Sequence, residues 1–135
     1  MNLFQWLVAT AALTALVWHG RQEPWTPPRI AGAVICLVAF VLVSLARYQL
    51  GRAFSVTAKA RHLVTSGLYA RFRNPIYVFA EFFLLGLALY LRSWWPFVAM
   101  LLAVPVQVAR ARKEATVLEG AFGEEYRRYR ARTWF

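Results

Sequence analysis

Apolar positions fall into four long runs separated by polar segments. Residues 3–18, 30–46 and 93–109 contain no Asp, Glu, Lys or Arg, and residues 75–91 contain one, Glu81. Runs of this length sit at the short end of the roughly 17–25 residues a spanning helix needs. Flanking Trp, Tyr and Arg side chains extend each into the membrane interface. The pattern predicts an all-α, multi-pass transmembrane protein of about four spans, near residues 3–19, 30–47, 75–91 and 93–109. The third and fourth meet at Arg92–Ser93 and should form a tight antiparallel hairpin, with Trp94 and Trp95 in the interfacial belt. Pro105 should kink the fourth span. Residues 20–29, with Pro24, Pro27 and Pro28, read as a short outer loop.

Composition agrees with this picture. The chain of 135 residues is 60% hydrophobic and 16% charged, against about 45–50% and about 25% in soluble domains. It reads as one integral membrane domain, residues 1–135. The first run lacks a positive leader and a small-residue cleavage site, so it is expected to stay as a membrane helix. The single cysteine, Cys36, lies in an apolar run and excludes a disulfide or a cysteine metal cluster within one chain. No metal site is expected.

Net charge is +10, and its placement decides its meaning. Residues 47–73 carry six Lys and Arg and residues 110–132 carry seven, against three (Arg21, Arg29, Arg92) in the remaining connections. Basic residues placed between apolar runs indicate a membrane surface and anionic lipid rather than nucleic acid. The positive-inside rule puts both rich segments in the cytoplasm, giving N-in and C-in. A prokaryotic inner membrane is the expected location. The loop 51–74 and the tail 110–135 then lie on one side, at the mouth of the helix hairpin. Along the tail, Val117, Leu118, Ala121, Phe122 and Tyr126 recur at helical spacing, and Gly123 should divide it into two helices.

These two segments hold the specific polar residues. "LVTSGLYARFRNPIY", residues 63–77, and the stretch from Glu114 to Tyr129 resemble the two motifs of the isoprenylcysteine carboxyl methyltransferase and phospholipid methyltransferase family, roughly L-V-T-x-G-x-Y-x-x-x-R-H-P-x-Y and E-E-x-x-L-x-x-x-F-G-x-x-Y-x-x-Y. The resemblance covers about residues 51–132. Asn74 stands in place of the family's usual His, and Ala115 in place of a second Glu. Asn keeps hydrogen-bonding capacity but cannot titrate.

The resemblance implies S-adenosyl-L-methionine as cofactor and methyl transfer to a lipophilic acceptor. The acceptor is a small molecule or a lipid carrying an isoprenylcysteine-like carboxylate, an amine, a phenol or a thiol. It implies cofactor contacts at His62, Leu63, Val64, Gly67, Tyr69, Arg73, Asn74, Tyr77 and Glu114, with Arg73, Tyr77 and Glu114 nearest the chemistry. The residue types fit. Arg73 can grip a carboxylate through a charge-assisted pair. Glu114 can accept from an amine or ribose hydroxyls. Gly67 permits a close turn, and Tyr69 and Tyr77 offer faces to adenine or a sulfonium. Arg71 reads as a membrane-edge anchor. Pro75 suits a helix start. Glu81, one turn beyond Tyr77, is a costly intramembrane carboxylate and the candidate for substrate binding, or for pairing with an Arg. Glu119, Glu124 and Glu125 read as solvated helix charges or as partners of Arg127 and Arg128. Two other readings compete: a membrane reductase using a nicotinamide cofactor, and a small four-helix exporter coupled through Glu81. Oligomeric state is not legible in the sequence.

Overall fold

Proline and an unbroken aliphatic run begin the first described helix. The computed structural model describes residues 18, 20–51 and 63–135. The first expected span and His62 therefore lie outside the described residues. Helix α1, Pro27–Gly51, opens with two prolines in its first turn, where a missing N–H costs nothing. The Ile30 amide closes the first bond onto the Thr26 carbonyl at 3.0 Å. Residues 20–22 are also helical, so the outer loop predicted over 20–29 shrinks to residues 23–26. Prolines that suggested a loop serve instead as a helix start.

One stripe of α1 is buried: Arg29, Gly32, Ala39 and Ala46. The spacings of three and seven residues keep them on one face. That face packs on α2, Pro75–Leu91, more extensively than any other pair of described helices touches. Gly32 and Gly86 form the crossing point. A Cβ built on Gly32 would lie against the Tyr90 amide and 2.6 Å from the Gly86 carbonyl oxygen, and one on Gly86 would lie 2.8 Å from the Cys36 amide nitrogen. The two backbones are therefore in direct contact. Beside the crossing, the Cys36 thiol points at the Phe83 carbonyl, 3.5 Å away.

The opposite face of α1 exposes Val34, Leu37, Val38, Val41 and Leu45, and α3 exposes Leu101 and Leu102. Small residues inside and large aliphatic residues outside invert the soluble pattern and match helices packed in lipid. At 25 residues, α1 is about 38 Å long, more than the roughly 30 Å hydrocarbon thickness. It is the one described helix long and apolar enough to cross a membrane; α2 is apolar too but has 17 residues.

Helix α2 ends at Arg92 in the left-handed conformation (φ 50°), and the Ser93 amide returns to the Ala88 carbonyl at 3.2 Å. This tight cap turns the chain into α3, Trp95–Phe122. α3 does not end with the apolar run near residue 109 but continues unbroken past Pro105 into the basic segment. Ala, Arg, Lys, Glu and Leu favour helix propagation there, and polarity alone does not end a helix. Gly123, at φ 52°, does end it. Helix α4, Glu124–Arg132, follows with acidic residues in its first turn and basic residues in its last, matched to the helix dipole. Arg127 on α4 is tied to Glu119 at 2.9 Å and Glu124 at 3.4 Å. Of the predicted tail face, Tyr126 is buried but Val117 is exposed.

The crossing yields a direct test. Gly32→Ala pushes a methyl group into backbone that cannot rotate away and should lower stability by about 1–3 kcal/mol, read as a lower apparent melting temperature in detergent. Gly120→Ala, where nothing lies within 4 Å, should leave it equal or slightly raised. Equal melting of the two variants would show that the helices do not touch at Gly32.

Candidate functional site

The polar end of the α1–α2–α3 bundle is assembled around one short turn. Gly67 adopts φ 63°, a conformation that disfavours any side chain, and starts a 3-10 turn, Gly67–Ala70. A Cβ there would also strike the Gln49 side chain. Gln49, near the end of α1, accepts a hydrogen bond from the Leu68 amide at 3.0 Å. The turn is thereby fixed to the helix that carries the glycine crossing. Leu63 and Val64 precede it in irregular, half-buried chain.

Helix α4 covers the turn. The Tyr129 hydroxyl donates to the Tyr69 carbonyl at 2.8 Å, and Tyr69 and Tyr126 are both buried. The chain after α4 then runs back beside residues 71–74. Phe72 and Trp134 form a parallel bridge. The Trp134 amide donates to the Arg71 carbonyl at 2.8 Å, the Arg73 amide to the main-chain oxygens of Trp134 and Phe135 at 2.9 and 3.0 Å, and the Asn74 amide to Phe135 at 3.2 Å. These amides immediately precede the first turn of α2, so the strap satisfies donors that would otherwise be exposed. Pro75 follows at N1, buried, as the sequence suggests. The Asn74 side chain makes no capping bond to the helix.

The two arginines of "RFRNP" now differ. Arg71 is exposed. Arg73 is half-buried, and its Nε is shielded from solvent without a hydrogen-bond partner. An unmatched buried donor is costly, and the positive charge of Arg73 is felt at Tyr129. Across the hairpin, the Tyr77 hydroxyl on α2 donates to Glu114 Oε1 on α3 at 2.7 Å, a short, charge-assisted bond joining the two sequence motifs. One turn deeper on α2, both oxygens of Glu81 are shielded and make no hydrogen bond of good geometry. The Gln107 side chain on α3 is the group within looser reach. Among the described residues Glu81 forms no ion pair with an arginine, and of the arginines only Arg127 takes part in salt bridges.

Tyr69 lies within electrostatic reach of Tyr129, Glu114 and Tyr77. Burial pushes the Tyr69 hydroxyl well above the usual phenol range, and Tyr129, Glu114 and Tyr77 add to the shift. Burial likewise pushes Tyr129 up to about 12; Tyr126 adds to this and Arg73 opposes it. Four structural contributors had not been singled out in the sequence: Gln49, Gln107, Trp134 and Phe135. Gln107 carried a readable signal as a lone amide in an apolar run opposite Glu81.

Residues 28–125 match the family model described as phospholipid methyltransferase. The chain belongs to that family. The match spans nearly all of α1, the Gly67 turn, the hairpin and the start of α4, so it contains the first motif, the second from Glu114 as far as Glu125, and every contact between α2 and α3 named above. No curated protein and no solved structure matches the chain. Family membership implies methyltransferase activity and, with the apolar helix Pro27–Gly51, association with a membrane.

The shielded Tyr129 phenol has a pH consequence. Its folded value lies above the ordinary value of about 10, so folding favours the neutral form. The stabilisation is complete below about pH 10 and is lost as pH rises through about 12. A tyrosinate absorbance titration of the protein and of Tyr129→Phe should differ by one tyrosine with a midpoint near 12. A difference centred near 10 would mean that Tyr129 is not enclosed by the turn.

Proposed function

We propose that this protein is an integral membrane methyltransferase that uses S-adenosyl-L-methionine and passes a methyl group to a lipophilic acceptor. The observation that carries the reading is the Tyr77–Glu114 hydrogen bond. It joins the two motifs at the polar mouth of the α2–α3 hairpin, four residues along the chain from Arg73, whose buried Nε is unmatched.

The residues present suit the cofactor. Its methionine end bears a carboxylate, and Arg73 has a shielded Nε with no partner. Its amine and ribose hydroxyls are donors, and Glu114 is an exposed carboxylate at the mouth with Tyr77 on one oxygen. Leu63, Val64, Gly67, Tyr69 and Asn74 would supply backbone and aromatic contacts around it, with His62 completing the set. When bound, the cofactor supplies an electrophilic methyl group. Methyl transfer by direct displacement needs an aligned acceptor and a water-poor site more than a proton relay. Tyr77 holds Glu114 in place, Arg73 orients an anionic group, and the apolar faces of α2 and α3 exclude water. Glu81, deeper in the seam, faces the side from which a membrane-dissolved acceptor enters. An isoprenylcysteine-like carboxylate, a lipid amine, a phenol and a thiol are all nucleophiles of the required kind.

In this reading the chain spans the membrane four times, with both ends and the site in the cytoplasm of a prokaryotic cell. Reporter fusions in the 23–26 loop and after residue 135 should give opposite signals; the same signal at both would overturn that topology.

Calorimetric titration of the purified protein with S-adenosylhomocysteine and with a nicotinamide cofactor decides the cofactor class. Arg73→Ala removes a charge-assisted contact worth roughly 1.5–3 kcal/mol and should weaken S-adenosylhomocysteine about ten- to a hundredfold, with methyl transfer falling in step. Arg71→Ala, an exposed anchor, should cost about 1 kcal/mol or less. Small, equal losses for both arginines would reduce the segment to a membrane anchor.

A further inference from the structure

Between the Gly67–Ala70 turn and α4 lies an open groove of about 540 Å³ with both polar and apolar lining, within the range of small-ligand sites. None of the residues assigned above to the cofactor lines it. Thr65 forms one wall; Glu125, Arg128, Tyr129, Arg132 and Thr133 form the other. Arg128 and Arg132 are four residues apart and share a face of α4. Neither makes an ion pair among the described residues, whereas Arg127 on another face is taken up by Glu119 and Glu124. Two like charges one turn apart repel each other unless an anion lies between them. With a single carboxylate, Glu125, in the lining, the groove is net positive. The Thr133 hydroxyl already donates to the Tyr129 carbonyl, so the free donors are the two guanidiniums and Thr65.

The position of the groove names the anion. Thr133 leads directly into Trp134, which is paired with Phe72 three residues before the apolar helix α2 begins. The groove therefore opens at the level where the bundle changes from polar to apolar. The two residues that follow its lining residue Thr133, Trp134 and Phe135, are 74% and 46% exposed. Exposed aromatics beside unpaired arginines are the residues that sit at the headgroup layer of a bilayer. We propose that this groove holds the phosphate of an anionic membrane lipid, bridged by Arg128 and Arg132, with Trp134 and Phe135 dipping among the acyl chains beside it. The site is separate from the one that holds cofactor and acceptor.

The test uses the full chain in neutral detergent, titrated with short-chain phosphatidylglycerol, short-chain phosphatidylcholine and inorganic phosphate, with native mass spectrometry as readout. Phosphatidylglycerol should bind saturably and more tightly than the other two. The double variant Arg128→Ala/Arg132→Ala should weaken it by about tenfold or more. Arg128→Lys/Arg132→Lys keeps the charge and should retain part of the affinity. Arg127→Ala/Arg130→Ala removes the same charge elsewhere on α4 and should leave the affinity unchanged. S-adenosylhomocysteine affinity, measured on the same preparations, should be equal in the Arg128/Arg132 variants and the unaltered chain, which also reports that they fold. Three results overturn the proposal: undiminished lipid binding in the double alanine variant, inorganic phosphate binding as tightly as the lipid, or loss of S-adenosylhomocysteine affinity in step with lipid affinity, which would make the groove part of the cofactor pocket.

Discussion

Everything at the polar end of this molecule depends on two glycines, Gly32 and Gly86, letting two backbones touch. In lipid the hydrophobic effect gives helices little reason to associate, so close packing must hold them together. A small-residue stripe along α1 provides it, and the contact sets the distance and angle at which α1 and α2 diverge. From that crossing, α1 delivers Gln49 to the Gly67 turn, while α2 begins at Pro75 on the other side of the same turn. The Gly67 turn is thus set between elements whose relation is fixed one helix length away.

A second consequence follows for α3. The Arg92 cap ties α3 to α2 in a short hairpin, so residues of α3 fall opposite residues of α2 in register. Glu114 and Gln107 are seven residues apart, two turns on one face; Tyr77 and Glu81 are four apart, one turn on one face. The hairpin places Tyr77 against Glu114 at the mouth and Glu81 near Gln107 below it. Polarity therefore falls along the seam from an exposed carboxylate to an enclosed one. A water-soluble reactant approaching from the mouth and an apolar one approaching from the bilayer would each meet surroundings that match them.

Much of this was legible in the chain. Apolar runs located α1, α2 and the start of α3, Arg92–Ser93 marked the hairpin, Gly123 marked the break, and the two motif segments identified the family. One boundary was misread because composition was taken as a proxy for backbone: Pro27 and Pro28 suggested a loop although proline suits a first helical turn. After residue 109 the structure has the helix that the spacing suggested, carried on from the apolar run without a break. The strap at Trp134 and Phe135 had no sequence signal, because its bonds are made by main-chain atoms that every residue carries. Gln49 was equally silent: its role comes from where the crossing aims the end of α1.

The difference between Arg71 and Arg73 shows what structure adds to a motif. In sequence they are two basic residues at a membrane edge, separated by one position. The strap draws the main chain of both into pairing with Trp134 and Phe135, but Arg71 is exposed while Arg73 is half-buried, its charge felt at Tyr129. An exposed guanidinium is satisfied by water. An enclosed one with an unmatched donor raises the energy of the empty state and so strengthens, by the same amount, the binding of any anion that completes it. The main chain at Arg73 is paired with the strap, and the turn before it lies under α4, so α4 and the strap fix the surroundings of this guanidinium.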